Sequence, residues 1–358
     1  MDGFSNGRAA VRPRPSTTVR AGKGFGLSWR PMRLQETLPV ETLPLPTPFG
    51  VGQVNVFIVA VEPLTLVDAG VNTLAAENAL KLGFAAKGLF LESLERILVT
   101  HGHPDHYGLV PLICNGGGQV KAYMGAREIE RIADTGPVWE WSRRLQEAGF
   151  PEILLKELSK LEKRVNRVHK VAQLKCRPIQ AGETFEFRGF TLEAVLLPGH
   201  TEGHMGFLER QHGILFAGDT LLPHAYPNPL IEPILEPEGD SPSRGRHSLK
   251  HYLETLDLLQ SLELRTVYPG HGPVITNPGE TISFMREHHA RRLDQVNDCL
   301  TAGGVTAFEV SVVLYPAAQS YCRFLAVSEA VAHLDVLVEQ GRATNAIRDD
   351  GVEYFSSA

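Results

Sequence analysis

A short run of histidines and acids is the part of this sequence best equipped for chemistry. It reads T-H-G-H-P-D-H at residues 100–106, directly after an apolar Ile-Leu-Val segment. Such a segment predicts a buried strand, so the loop would project His101, His103, Asp105 and His106 from a rigid element. Imidazole nitrogens and carboxylate oxygens without a thiolate are typical ligands of zinc and similar divalent ions. Because four ligands this close together cannot all hold one ion comfortably, we predict two metal ions at the loop.

Three later segments repeat the order of apolar strand, glycine and candidate ligand. They read L-L-P-G-H ending at His200, L-F-A-G-D ending at Asp219, and V-Y-P-G-H ending at His271. A glycine before the ligand lets the backbone approach closely and adopt unusual dihedral angles. Each segment alone is typical of an ordinary turn. Their recurrence in one chain together with the histidine run indicates a composite site.

Asp68 and these four motifs, taken in chain order, resemble the five motifs of the metallo-β-lactamase-fold hydrolases. The matching segments are the T-H-G-H-P-D-H run, P-G-H-T-E-G-H, A-G-D-T and P-G-H-G, and the resemblance covers roughly residues 45–275. It implies a mixed α/β (α+β) fold, namely a four-layer αββα sandwich. The metal ions would lie at one edge of its two sheets. The ions would be zinc, with iron or manganese as alternatives.

The resemblance also implies a role for each candidate residue. The first ion would be held by His101, His103 and His200, the second by Asp105, His106 and His271, and Asp219 would bridge the two. A hydroxide between two dications is a nucleophile at neutral pH, and Asp105 is the predicted catalytic residue that orients it and accepts a proton. Asp68 and His204 are expected to hold ligands in place, although His204 could also be an ordinary turn residue. His224 and Tyr226 are candidate substrate contacts.

Length and composition are those of a large globular protein. The chain has 358 residues, is 43% hydrophobic and carries a net charge of −6, which argues weakly against a nucleic-acid partner. Its four cysteines are widely spaced, as expected for reduced thiols in a cytoplasmic protein. No apolar run reaches the length of a membrane span. Residues 1–35 are basic and rich in Pro, Gly, Ser and Thr, which predicts a flexible leader, with an organelle transit peptide as the alternative.

Residues 36–280 are predicted to form the catalytic domain and residues 281–358 a small C-terminal domain. A charged helical insertion at about 136–172 is expected to pack on the protein or form a homodimer contact; the alternative is a lid over the site. The C-terminal order of helix, helix and β-hairpin resembles the winged helix in the branch of the family that includes lactamase-like protein 2. His288 and His289 are expected to face solvent; His333 is expected either to do the same or to pack, with the apolar face of its helix, on the catalytic domain or a second subunit.

The leading hypothesis for function is hydrolysis of small-molecule esters or thioesters by a metal-bridged hydroxide, as in the hydroxyacylglutathione hydrolases (glyoxalase II). The alternative is a single-strand endoribonuclease or phosphodiesterase of the lactamase-like protein 2 type. Nucleic acid is disfavoured because the predicted second C-terminal helix, at 327–341, has three acids and no Lys or Arg. β-Lactam hydrolysis is less favoured because Asp219 stands where the zinc β-lactamases usually carry cysteine. Oxygen chemistry at iron and a non-catalytic binding module remain further alternatives.

Overall fold

The computed structural model describes residues 38–116, 119–133, 138–158, 160, 175–231 and 247–358. The predicted leader lies outside the described residues, as do parts of the predicted insertion and of the loop at 223–246. Thr37–Ala358 form one compact unit. Among the described residues, none of the helices has the length and apolar character needed to cross a bilayer.

The first sheet has six strands in chain order. They are β1 (Val40–Leu45), β2 (Val54–Val59), β3 (Thr65–Val67), β4 (Arg96–Val99), β5 (Lys121–Gly125) and β6 (Cys176–Ile179). Strands β1 to β3 pair antiparallel, whereas β3 to β6 are parallel. Parallel strands place their carboxyl ends at one edge of a sheet, where ligand sites usually form. Asp68 after β3 and the histidine run after β4 therefore lie side by side at that edge.

The second sheet has five strands in the order β11-β10-β9-β8-β7. They are β7 (Thr184–Phe187), β8 (Phe190–Leu196), β9 (Met205–Glu209), β10 (Ile214–Gly218) and β11 (Thr266–Pro269). Only the pair of β10 and β11 is parallel within this sheet. The two sheets pack through a buried aromatic and aliphatic cluster in which the Phe57 and Phe216 rings meet edge to face at 5.5 Å.

Helices cover the outer faces of both sheets. The helices are α1 (Leu74–Ala86), α2 (Pro104–Tyr107), α3 (Val110–Asn115), α4 (Ala126–Ala133), α5 (Val138–Glu147), α6 (Ser248–Ser261), α7 (Pro278–Asn297), α8 (Ala307–Leu314) and α9 (Ser320–Glu339). Helix α1 buries Leu80 and Phe84 against the first sheet. Helices α6, α7 and α9 join one buried cluster with the second sheet. The four layers are therefore αββα, as predicted.

Two short helices, rather than one continuous helix, follow His103. Helix α2 ends at Tyr107 and α3 begins at Val110, so a turn separates them. Pro111 lacks a backbone N–H and its ring would clash with the preceding turn of a continuous helix. The break lets Gly108 approach the backbone of Asn72 so closely that an added Cβ would lie 2.5 Å from the Asn72 nitrogen.

The C-terminal segment has the predicted order of helices α8 and α9 followed by a hairpin of β12 (Ala343–Ile347) and β13 (Glu353–Ser357). Helix α9 is buried along most of its length, and its residues share a cluster with those of the second sheet. The described part of the predicted insertion also belongs to this cluster. There the Phe308 N–H donates to the Ala148 carbonyl at 2.9 Å, and the Phe150 and Phe308 rings meet at 5.6 Å.

The prediction that His289 faces solvent is wrong, and of the two alternatives for His333 the structure shows the buried one. Their exposed fractions are 1% and 0%, because α7 and α9 pack against each other in the core. His333 Nδ1 donates to the Glu329 carbonyl at 2.7 Å, so its Nε2 is left as an acceptor for His289 Nδ1 at 3.2 Å. His288 is also largely buried and lies 3.9 Å from Glu329.

This histidine pair makes acid destabilisation an expected property of the metal-free protein. Burial, then the neighbouring imidazoles, lowers the pKa of His289 to about 2, and burial lowers the pKa of His333 to about 3. Because both values lie below those of the unfolded chain, the unfolded state binds more protons as pH falls below 6.5. We expect each histidine to cost about 2 kcal/mol of unfolding free energy between pH 6.5 and pH 5.

Urea unfolding of the metal-free protein at several pH values measures this loss. The pH dependence of its unfolding free energy is compared with that of a His289→Gln/His333→Gln variant, which keeps all other titrating groups. The variant should lose less stability between pH 6.5 and pH 5. A pH slope between 6.5 and 5 that is equal in both proteins would contradict the expectation.

Candidate metal centre

Seven side chains predicted as ligands converge at the edge of the sandwich. Their ligand atoms form two groups, each with all atoms within 4.8 Å of one another. The first group is His101, His103, His200 and Asp219, and the second is Asp105, His106 and His271. They follow β4, β8, β10 and β11, so ligands separated by about 170 positions are brought together by both sheets.

Hydrogen bonds fix which ring nitrogen each histidine presents. His200 Nδ1 donates to the Asn228 carbonyl at 3.1 Å, and His271 Nδ1 donates to the Gln53 carbonyl at 2.7 Å. A carbonyl oxygen can only accept, so Nε2 of each neutral ring keeps its lone pair. Outer partners of this kind orient metal-binding histidines in proteins.

Asp68 performs the same task for the histidine run. Its carboxylate accepts from His106 Nδ1 at 2.8 Å and from the Thr100 N–H at 2.8 Å. The Thr100 hydroxyl also donates to Asp68 and lies 3.1 Å from His101 Nδ1, so it can accept that N–H. Asp68 is itself held at φ 58°, a left-handed conformation that few residues other than glycine adopt. The structure thus places Asp68 behind the histidine run, in contact with Thr100 and His106.

The first group has the geometry of a site for a divalent ion. His103 Nδ1 lies 2.8 Å from His101 Nε2 and 3.1 Å from His200 Nε2. Tetrahedral zinc with bonds of 2.0–2.1 Å would hold its nitrogens about 3.3 Å apart. Burial lowers the pKa of each of these three histidines, with added effects from neighbouring imidazoles. Neutral rings with converging lone pairs are suited to binding a cation.

Asp219 lies between the two groups. Its Oδ1 is 3.4 Å from His106 Nε2, and its Oδ2 is 3.5 Å from His271 Nε2 and 3.8 Å from His200 Nε2. Asp105 Oδ2 lies 3.5 Å from the same His271 nitrogen. Both Asp219 Oδ1 and His106 Nε2 are buried without a hydrogen-bond partner. Unpaired buried polar atoms are costly, and a bound cation would satisfy both, so the residues fit a two-metal centre.

The charges of the second group favour a cation as well. Burial alone would lower the pKa of His106 and of His271, but Asp219 and other carboxylates outweigh it. The pKa of His106 is raised well above its ordinary value, and that of His271 is raised to about 10. Burial acts to raise the pKa of Asp219, but His106 and His271 hold it well below its ordinary value. The carboxylates therefore favour a positive charge beside them. In the metal-free protein protonated histidines carry this charge, and a bound metal ion would supply it instead.

His204 lies beneath the first group rather than in a solvated turn. Its ring is fully buried and stacks on His101 with centroids 4.7 Å apart. The Asp219 N–H donates to His204 Nε2 at 3.2 Å, which leaves Nδ1 to donate to the Thr220 hydroxyl at 3.3 Å. Burial, followed by His200, lowers the pKa of His204 to about 3. His204 thus supports the backbone from which Asp219 projects.

Several residues that hold the candidate ligands in place are not marked by any motif in the sequence. Asn55 donates from its side chain to the Pro269 and Gly272 carbonyls, at 3.0 and 2.7 Å, on either side of His271. Asn228, whose carbonyl orients His200, donates its own amide to the Leu325 carbonyl of α9 at 3.0 Å. These residues act through contacts distant in sequence, so no local pattern marks them.

Glu128 of α4 is a further residue that the sequence analysis missed. Its carboxylate accepts from the Gly102 N–H at 2.6 Å and from the Gly203 N–H at 3.0 Å. Arg131 also donates to it at 3.0 Å. Burial acts to raise the pKa of Glu128, but Arg131 and the donated hydrogen bonds lower it overall. Glu128 is therefore a buried carboxylate that holds the two loops carrying the first group.

The two predicted substrate contacts lie on the segment after Asp219. His224 is exposed. Tyr226 is partly exposed and stacks on His288 at 3.4 Å and on Phe284 at 5.1 Å between ring centroids. Among the seven ligand side chains, six are buried and His103 alone is half-buried. His103 is therefore the most exposed of the seven.

Comparisons with known proteins agree with this geometry. The model of the metallo-beta-lactamase superfamily matches residues 49–271. The chain is 30% identical over 323 residues to the probable metallo-hydrolase YqjP of Bacillus subtilis, covering 90% of this chain and 98% of that protein. A crystal structure of a metallo-beta-lactamase family protein of Thermus thermophilus superposes with a TM-score of 0.73 at 28% identity, covering 89% of this chain and 98% of that one.

A fungal relative matches a shorter part of the chain. It is an atrochrysone carboxyl ACP thioesterase of Aspergillus fumigatus, 34% identical over 115 residues, which are 32% of this chain and 31% of that protein. The family model spans more than half of the chain, and the bacterial relative matches nearly its whole length. The chain therefore belongs to the metallo-β-lactamase superfamily of metal-dependent hydrolases.

Proposed function

We propose that this protein hydrolyses small-molecule esters or thioesters at a centre of two zinc ions. The observation that carries the proposal is the convergence of seven candidate ligands, two of which, His106 and Asp219, each have a buried polar atom without a hydrogen-bond partner. His101, His103 and His200 would hold one ion, Asp105, His106 and His271 the other, and Asp219 both. Two bound zinc ions would lower the pKa of a water between them and polarise the substrate carbonyl.

The protein's own side chains would then position the reactants. Asp105 has one oxygen directed at His271, and its other oxygen can orient a water and accept its proton. The half-buried His103 marks the side on which a substrate can approach. The six buried ligands behind it restrict water, which strengthens every charge interaction in the centre.

Acyl substrates are favoured over nucleic acid by two observations. The fungal relative is named as a thioesterase of an acyl carrier protein. Helix α9, which would have to contact nucleic acid in a winged helix, is buried among α6, α7, α8 and β12. A buried helix cannot enter a nucleic-acid groove, so the ribonuclease alternative has less support.

The four cysteines are free thiols, which favours the cytoplasm as the compartment.

A substrate panel at defined zinc loading tests the proposal. The panel contains acyl thioesters, lactones, simple esters, single-stranded RNA and a phosphodiester. We expect thioesters or esters to be hydrolysed fastest, and activity to disappear with a chelator and return with added zinc. Faster cleavage of RNA or of the phosphodiester would overturn the choice of acyl substrates.

An Asp105→Asn variant separates the role of Asp105 from that of the zinc ions. We expect hydrolysis to fall by about 100-fold or more at saturating zinc, because general base catalysis typically contributes 10²–10⁴-fold. The zinc content of the variant is measured in parallel. If the variant hydrolyses the best substrate as fast as the wild type, Asp105 has no catalytic role.

A further inference from the structure

Glu128 joins the two loops that supply the histidines of the first group. Gly102, whose N–H it binds, lies between His101 and His103, and Gly203 lies between His200 and His204. Each oxygen of one carboxylate therefore holds one loop by its backbone. The side chain has 1% of its surface exposed, so these bonds form away from solvent.

Both glycines are packed tightly around this carboxylate. A Cβ at Gly102 would lie 2.9 Å from Glu128 Oε2, and a Cβ at Gly203 would lie 2.8 Å from Oε1. Arg131 closes the arrangement on the Gly102 side, with its Nη2 at 3.0 Å from Oε2. Side chains larger than glycine would force the carboxylate away from the loops.

The histidines of the second group are held by other parts of the chain. His106 donates to Asp68, and His271 donates to the Gln53 carbonyl. The backbone groups that Glu128 binds, by contrast, lie next to histidines of the first group, because Gly102 separates His101 from His103 and Gly203 follows His200 by three residues. Loss of Glu128 should therefore weaken the first metal ion more than the second.

We propose that Glu128 is a positioning residue that sets the spacing of His101, His103 and His200 and thereby the affinity of the first metal ion. The inference rests on the proposed two-metal centre. Charged hydrogen bonds to a buried carboxylate are stronger than neutral ones, so the loops are held in place before a metal arrives. Outer residues that orient metal ligands typically contribute 10–100-fold in metal affinity.

A Glu128→Gln variant tests the proposal with Co²⁺ as the probe. The amide keeps the shape of Glu128, but its NH₂ group cannot accept a backbone N–H, so one loop loses its anchor. We expect the dissociation constant of the Co²⁺ ion in the first group to rise 10–100-fold, and that of the ion in the second group to rise less. Visible spectra of His200→Ala and His271→Ala variants identify the bands of each site.

Glu209→Gln is the matched control. Glu209 is also a buried carboxylate that accepts backbone N–H groups, from Gln211 and His212, but it lies at the far end of β9. Its replacement should leave both Co²⁺ affinities unchanged. Equal affinities in Glu128→Gln and wild type, or equal weakening of both sites, would overturn the role proposed for Glu128.

Amide hydrogen exchange on the metal-free wild type gives a second test that needs no variant. The N–H groups of Gly102 and Gly203 should exchange slowly without metal, because the carboxylate binds them. Fast exchange of both would overturn the proposal. A wild-type protein that binds fewer than two Co²⁺ ions would instead refute the two-metal centre, so the two failures can be distinguished.

Discussion

An Asp219→Asn variant should lose the ability to retain two zinc ions. Asp219 faces His106 and His271 in one group and His200 in the other. An amide carries no charge to screen the repulsion between two dications, and it offers one acceptor atom in place of two. We expect zinc content after dialysis to fall from two ions to one or fewer. Hydrolysis should fall by more than the roughly 100-fold that loss of an outer-sphere partner can cause.

Metal analysis and steady-state rates measure these two effects. Asp257→Asn is a suitable control because Asp257 is an exposed acid on α6 that pairs with Arg286 and is not one of the candidate ligands. It should retain two zinc ions and full activity. Retention of two tightly bound zinc ions by Asp219→Asn would contradict a bridging position for Asp219.

A Gly270→Ala variant should disrupt the same centre by steric means. A Cβ at Gly270 would lie 2.2 Å from Asp219 Oδ1 and 2.7 Å from His106 Cε1. The backbone cannot withdraw, since the Gly270 N–H donates to Gly218 and its carbonyl accepts from Asn55. The Asp219 carboxylate must therefore move. We expect zinc affinity to fall by 10-fold or more and the metal-free protein to lose about 1–3 kcal/mol through overpacking.

Zinc titration and urea unfolding check this expectation against Gly279→Ala. Gly279 has no atom within 4 Å of an added Cβ and lies in the first turn of α7. Alanine there should be neutral for zinc binding. Wild-type zinc affinity in Gly270→Ala would mean that Asp219 does not need its observed position to bind metal.

The convergence of the seven candidate ligands could be predicted because each lies in a short, recognisable segment of the chain. The histidine run places four ligands in six positions, and Gly218 and Gly270 precede their ligands after apolar strands. The αββα layers followed from the same motifs through the family resemblance, and the structure confirms them.

The supporting residues could not be predicted in this way. Glu128 lies on a short polar helix with no ligand-type spacing, and its partners are 26 and 75 positions away. Asn228 acts largely through its backbone carbonyl, which any residue possesses. Nothing in a single sequence identifies which backbone group meets which side chain across such distances.

The wrong assignment of His289 has a similar origin. Charged neighbours on α7 suggested a solvated helix, but one face of α7 packs against α9 in the core. Two neutral imidazoles can be buried because each donates its N–H to an acceptor. Composition alone does not reveal such pairing, since it depends on which helices become neighbours.

The hydrogen bonds from His200 through Asn228 to Leu325 link the catalytic edge to the final third of the chain. The hydrophobic cluster around α9 is likewise shared with the second sheet. The C-terminal segment therefore shares contacts with the candidate site and with the second sheet. Exchange of this segment for that of a relative would disturb both sets of contacts. A shift of α9 would therefore move the acceptor of the Asn228 amide and, through Asn228, the carbonyl that orients His200.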